Sequence, residues 1–168
     1  MKLRIHEVIP ESVVDGPGLR LSVFTQGCPH ACPGCHNPAT HDPNGGYDVE
    51  VEALAKMLAD DPLLSGVTLT GGEPFFQPLG CLSLALSAHA QSKSVWAYTG
   101  YTLEKLREKS DREINALLGQ IDVLVDGPFL LPERSLELKF RGSKNQRLID
   151  MAKTGSGEIV LWQDPWEF

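Results

Sequence analysis

The chain lacks any run of 18 apolar residues, which excludes a helix that crosses a bilayer. Its opening stretch, residues 1–18, has no apolar segment long enough for a secretory signal, and the expected location is the cytoplasm. A basic excess is also missing. Lys and Arg number 15 against 22 Asp and Glu, for a net charge of −7, so no nucleic-acid partner and no membrane partner are expected. Internal repeats and low-complexity tracts are absent as well. The 168 residues suffice for one domain with a hydrophobic core, read here as a single unit over 1–168. They fall short of the roughly 200 residues that a complete eight-unit barrel needs at least.

Cysteine is scarce, but its placement is informative. Of four cysteines, Cys28, Cys32 and Cys35 share one short stretch, and Cys81 stands alone. Without a secretory signal, such a cluster indicates metal or redox chemistry rather than a disulfide framework. Cys81 lies in a helical pattern and is expected to behave as a small buried hydrophobe.

Leu19-Arg-Leu-Ser-Val-Phe-Thr25 alternates apolar and polar residues and predicts a strand. Further strands are predicted at Val67–Thr70, Val95–Tyr98 and Val123–Val125. Helical patterns fall between them. Asp48 is placed to cap a helix with Val51, Leu54, Ala55 and Leu58 inward. Leu79, Leu82, Ala85 and Leu86 mark a second helix, Thr102 a third with Leu103 and Leu106, and Asp111 a fourth with Ile114, Leu117 and Leu118. This alternation predicts an α/β fold with a mostly parallel sheet; the short length makes it a partial barrel, open on one side. Leu136, Leu138 and Phe140 alternate, and Ile159–Trp162 suggests one more strand.

Each of the four strands runs into an unusual segment: the cysteine loop, Gly71-Gly72-Glu73-Pro74, Thr99-Gly100-Tyr101 and Asp126-Gly127-Pro128-Phe129. Sites in parallel α/β folds form at the carboxyl ends of strands, so the four segments predict one shared site. In Cys28-x3-Cys32-x2-Cys35, three thiolates could hold three irons of a cubane and leave the fourth iron open. Two rival readings stay open on spacing alone. One is a Cys3His zinc site completed by His30, His36 or His41, and the other a dithiol at Cys32 and Cys35. For Gly71-Gly72-Glu73, close approach of a ligand to the backbone, with the carboxylate accepting a ligand ammonium, stands beside a plain strand-to-helix turn.

Five segments together resemble the radical S-adenosylmethionine superfamily. They are Asp15-Gly-Pro-Gly18, residues 27–37 around the cysteines, Thr70-Gly-Gly-Glu-Pro74, Asp122-Val-Leu-Val-Asp-Gly-Pro-Phe129 and Phe140-Arg-Gly-Ser-Lys-Asn-Gln-Arg147. Within it they resemble the glycyl-radical-enzyme activases, and the last two segments the activators of anaerobic ribonucleoside-triphosphate reductases. The resemblance implies a radical S-adenosylmethionine domain over about 15–149, with a tail at 150–168. It implies one [4Fe–4S] cluster on Cys28, Cys32 and Cys35, its fourth iron chelated by S-adenosylmethionine. Gly34, Cys35 and His36 would line the cofactor, with His36 near the adenine, while Gly71, Gly72 and Glu73 receive the methionine ammonium. One electron, from a flavodoxin or ferredoxin, would release a 5′-deoxyadenosyl radical that takes a Cα hydrogen from a glycine of the partner reductase. An activase of another glycyl radical enzyme, of the pyruvate formate-lyase type, and a small synthase are the neighbouring alternatives.

The position before the last cluster cysteine departs from many superfamily members in being Gly34 rather than an aromatic. Arg141, Lys144 and Arg147 form a basic loop that could face solvent, the cofactor carboxylate or the partner. Tyr98 and Tyr101 are expected to pack. His6, His30, His41 and His89 receive no role.

Overall fold

Period-two side-chain placement explains the sheet at the centre of the molecule. The computed structural model describes residues 1–165, in which seven strands pair in one sheet of order β3-β1-β2-β4-β5-β6-β7. They are β1 (Lys2–Ser12), β2 (Arg20–Thr25), β3 (Tyr47–Glu50), β4 (Gly66–Gly71), β5 (Ser94–Tyr98), β6 (Val123–Asp126) and β7 (Arg147–Asp150). The four central strands β2, β4, β5 and β6 run parallel, as the βα alternation predicts. Antiparallel strands flank them: β1 beside β2 with β3 on its outer side, and β7 beside β6.

One face of the sheet is apolar. Leu21, Val23, Val67, Leu69, Val95, Ala97 and Leu124 pack against helices α1 (Val51–Asp60), α2 (Pro78–Ala90), α3 (Leu103–Glu108) and α4 (Arg112–Leu118). Each fully buried Leu or Val there contributes about 1.5–3 kcal/mol. The opposite face carries Arg20, Ser22, Thr68 and Thr70, all buried, then Trp96, Val123 and Val125. Register sets these in rows, with Ser22 beside Thr68, Thr68 beside Trp96 and Trp96 beside Val123. Trp96 packs edge-on to Phe140 and Trp162, so the chain after β6 covers this face.

Thr102 caps α3 as predicted, its side chain accepting from Lys105 N–H, and Asp111, where the sequence pattern starts the next helix, caps α4 by accepting from Glu113 and Ile114 N–H. Asp48 does not cap α1. It lies in β3, where its carboxylate pairs with Arg4 at 3.0 Å, and Glu50 takes the cap position. In α2 the buried face is Gly80, Cys81, Leu84, Ala85 and Ala88, while Leu79 and Leu86 are each 48% exposed. Small residues let this helix approach the sheet; a Cβ on Gly80 would come within 2.9 Å of Leu3. Residues 136–140 are turns rather than a strand, with Leu136 85% exposed and Phe140 at φ 61°.

A short helix α5 (Met151–Thr154) follows β7. Residues 160–162 then run beside β7 through Asp150 N–H to Val160 O and Trp162 N–H to Leu148 O, forming one bridge, Ile149 to Leu161, rather than the suggested strand. Part of the tail assigned to 150–168, namely residues 166–168, lies outside the described residues. Among the described residues no helix is long and apolar enough to cross a membrane.

Candidate functional site

The loop after β2 is closed at its base by backbone. Gly27 N–H donates to Thr40 O at 2.7 Å and Cys28 N–H to His41 O at 3.2 Å. Gln26 reinforces the neck, its side-chain amide donating to Ala39 O and Asp42 O. Between these ties the chain bends freely through Gly27 at φ 101° and Gly34 at φ 75°, a region that glycine enters without a Cβ penalty. Cys28, Cys32 and Cys35 are free thiols, each partly buried. Burial pushes the Cys28 thiol up, against a backbone hydrogen bond at His30 that pulls it down. A bound metal would reverse that, since a coordinating thiol is deprotonated outright. Asn37 N–H already donates to Cys35 Sγ at 3.4 Å, as it would to a thiolate.

All three thiols line one cavity of about 500 Å³, a size usual for small-molecule sites. The segments after all four parallel strands meet there, as their positions in the sequence predict. Cys28 to Asn37 come from β2, Gly71 and Gly72 from β4, Thr99 and Gly100 from β5, and Gly127 and Phe129 from β6. His36 stands edge-on to Phe129, ring centres 5.1 Å apart. Tyr98 both packs and lines the cavity, its hydroxyl donating to Phe140 O at 2.6 Å.

Of the residues expected to touch a cofactor, Cys35, His36, Gly71 and Gly72 line the cavity, whereas Gly34 and Glu73 do not. A Cβ on Gly34 would meet Leu131. Glu73 is wholly buried behind the wall. The two glycines also have a packing duty. Gly71, at φ 89°, leaves no space for a Cβ, which would come within 2.6 Å of Phe24 Cα and Thr25 N. Gly72 N–H donates to Thr25 O and Glu73 N–H to Gly27 O, each at 2.8 Å.

Within the basic loop, Arg141 lines the cavity, with Nη1 donating to Gln146 O. Arg147 is committed elsewhere, clasping buried Asp126 through Nε and Nη2 and also meeting Glu104. His30 and His41, which the sequence offers only as alternatives for completing a zinc site, line the cavity too, as does Asp15 of the 15–18 turn. The position of His30 between two ligand candidates, and of His41 at the loop's return, was the available signal. Among the described residues no three His, Cys, Asp or Glu side chains converge on a single-metal site.

A family model described as a 4Fe-4S single cluster domain matches residues 14–149, and the chain belongs to this iron–sulfur family. Its curated relatives are anaerobic ribonucleoside-triphosphate reductase-activating proteins. That of Salmonella typhi is 36% identical over 152 residues, 86% of this chain and 96% of the relative. That of Vibrio cholerae is 37% identical over the same shares, and that of Enterobacteria phage T4 is 31% identical over 87% of this chain and 93% of its own. Among solved structures, QueE from Escherichia coli aligns at 22% identity and a TM-score of 0.48 over 61% of this chain and 54% of that one, too distant to bear on function.

Proposed function

We propose that this protein activates an anaerobic ribonucleoside-triphosphate reductase by generating a glycyl radical on it. The observation that carries the reading is the meeting of three half-buried thiols and the Gly71–Gly72 turn across one cavity. Cys28, Cys32 and Cys35 would hold a [4Fe–4S] cluster, and the cavity would take S-adenosylmethionine beside it. When bound, this pair supplies a single-electron cleavage that yields methionine and a 5′-deoxyadenosyl radical.

The chain's own residues bind, orient and shield. Because the N–H groups of Gly72 and Glu73 are already given to Thr25 and Gly27, the turn offers a ligand carbonyl oxygen, which suits an ammonium group. Arg141 supplies the cationic counterpart for a carboxylate. His36 and Phe129 form an aromatic pair against which a purine can pack. Phe24, Leu138 and Phe140 give apolar wall that excludes water. The cavity lies at the carboxyl ends of the parallel strands, which suits a partial barrel whose mouth admits the glycine loop of a partner. In this reading the chain is one radical S-adenosylmethionine domain, supplied with electrons by a flavodoxin or ferredoxin.

The test mixes reduced, reconstituted protein with S-adenosylmethionine and the organism's own reductase in the absence of oxygen. A doublet glycyl signal in the electron paramagnetic resonance spectrum, lost when the reductase glycine becomes Ala, is the expected result. A radical formed only on another glycyl radical enzyme would leave the chemistry standing and overturn the partner.

A further inference from the structure

Glu73 follows the cavity-lining turn, yet it has no exposed surface and no place in the cavity wall. Four donors of the chain converge on its carboxylate. Oε1 accepts from the Thr99 hydroxyl at 2.8 Å, from Gly100 N–H at 2.9 Å and from the His30 ring at 2.5 Å. Oε2 accepts from Phe75 N–H at 3.1 Å. With about two acceptor sites per oxygen, Oε1 is fully committed, and Oε2, which holds one donor, is buried with the rest of the side chain outside the cavity wall.

His30 belongs to the cysteine loop, midway between Cys28 and Cys32. Its ring stands edge-on to Tyr101 at 4.4 Å and lies over Gly100, where a Cβ would strike it. One buried carboxylate thus joins the cysteine loop to the ends of β4 and β5.

We propose that Glu73 and His30 are positioning residues: Glu73 holds the cysteine loop through the His30 ring, so that Cys28 and Cys32 face the cavity, and does not itself receive the cofactor's ammonium. This rests on reading Cys28, Cys32 and Cys35 as the cluster ligands. To reach Glu73, an ammonium would have to displace His30 and break into a buried, satisfied network. The carbonyl oxygens of the preceding turn require no such rearrangement.

The test uses the full chain as wild type, Glu73→Gln, His30→Phe and the double variant. Phe keeps a ring against Tyr101 but removes the nitrogen. Three quantities are read: the iodoacetamide alkylation rate of each cysteine in the apoprotein, resolved by mass spectrometry with buried Cys81 as reference; the midpoint potential and paramagnetic spectrum of the reduced cluster; and S-adenosylmethionine affinity on iron-matched samples. Expected are alkylation of Cys28 and Cys32 faster by about tenfold in either single variant, as for a loop that opens more often, and a shifted potential. The double variant should go no further than the singles, since two ends of one link are not additive. Affinity per loaded site should change by less than about threefold, the scale of an indirect effect.

Unchanged alkylation and potential, with affinity reduced more than about tenfold in Glu73→Gln and His30→Phe silent, would make Glu73 a ligand contact and overturn the proposal. If Glu73→Gln fails to fold, His30→Phe alone decides through the same alkylation and potential measurements. Wild-type protein that takes up no iron on these cysteines would defeat the underlying reading, while the apoprotein alkylation rates still judge the link itself.

Discussion

The guanidinium of Arg20 lies 5.8 Å from the centre of the Trp96 ring, in the interior of the sheet's polar face. Its donors go to neutral oxygens: Nε to Thr68 Oγ1, Nη1 to Ser94 Oγ and Pro17 O, and Nη2 to Val67 O and Ser94 O. Burial pulls its pKa down to about 10. Thr68 passes the connection on by donating to Asp15 O, while Ser12 and Ser22 donate to the Asp15 carboxylate. The polar residues of β2 and β4 therefore fasten the 12–18 loop at the cavity mouth. Arg20→Met should destabilise the apoprotein by about 3 kcal/mol, because several buried acceptors lose their donor at once. Urea unfolding followed by tryptophan fluorescence measures it, and a loss under about 1 kcal/mol would contradict this account.

Replacing Cys28, Cys32 or Cys35 singly by Ala should abolish stable iron binding, whereas Cys81→Ala should retain it. Cys81 is fully buried in α2, and burial drives its thiol well above the ordinary range, so it is an inert packing group. Iron per chain after anaerobic reconstitution is the measurement, with about four irons expected in the wild type. Stoichiometric zinc with no iron uptake would contradict it.

Gly71→Ala should cost more than about 2 kcal/mol, since it adds a Cβ at positive φ against the backbone of β2. Gly119→Ala is the matched control. There a Cβ meets nothing nearer than 3.5 Å, and the result should be neutral or stabilising by up to about 1 kcal/mol. Gly72 differs from both. Its Cβ would press on the Gly27 carbonyl beside Cys28, so a bulky residue there should disturb the cysteine loop as well as ligand binding.

His89 presents Nε2 to Asp122 at 3.0 Å and Nδ1 to Gln120 at 3.0 Å. Burial disfavours its charge, but the two hydrogen bonds outweigh this and hold its pKa above the ordinary 6.5. A folded-state pKa above the unfolded one stabilises the protein fully below pH 6.5, and that contribution fades as pH rises through the folded value. The urea midpoint of the apoprotein should fall over that window in the wild type and be flatter in His89→Gln. Parallel pH profiles for the two proteins would rule out the linkage.

The four central strands were legible because each is a short apolar or alternating run ending in a Gly-rich or cysteine-rich segment. β1, β3 and β7 were not. Glu7 and Glu11 of β1 are exposed, and β3 and β7 are four residues each, too short for a period to register. Helix α2 has apolar residues on nearly every side, so periodicity could not choose a face; the fit of Gly80, Ala85 and Ala88 against the sheet did. At the site, cysteine spacing and the paired glycines announced themselves. The burial of Glu73 did not, because it depends on Thr99, Gly100 and His30 arriving from other parts of the chain.

The neck formed by Gly27 with Thr40 and Cys28 with His41 bears on what damage to the cysteine loop would do to the rest of the molecule. No residue between Cys28 and Asn37 belongs to the apolar core, so loss of a cluster held there, on the reading proposed above, would remove no apolar contact of the sheet. The stripped protein should keep its scaffold and accept a replacement cluster, making this chain repairable in place rather than disposable.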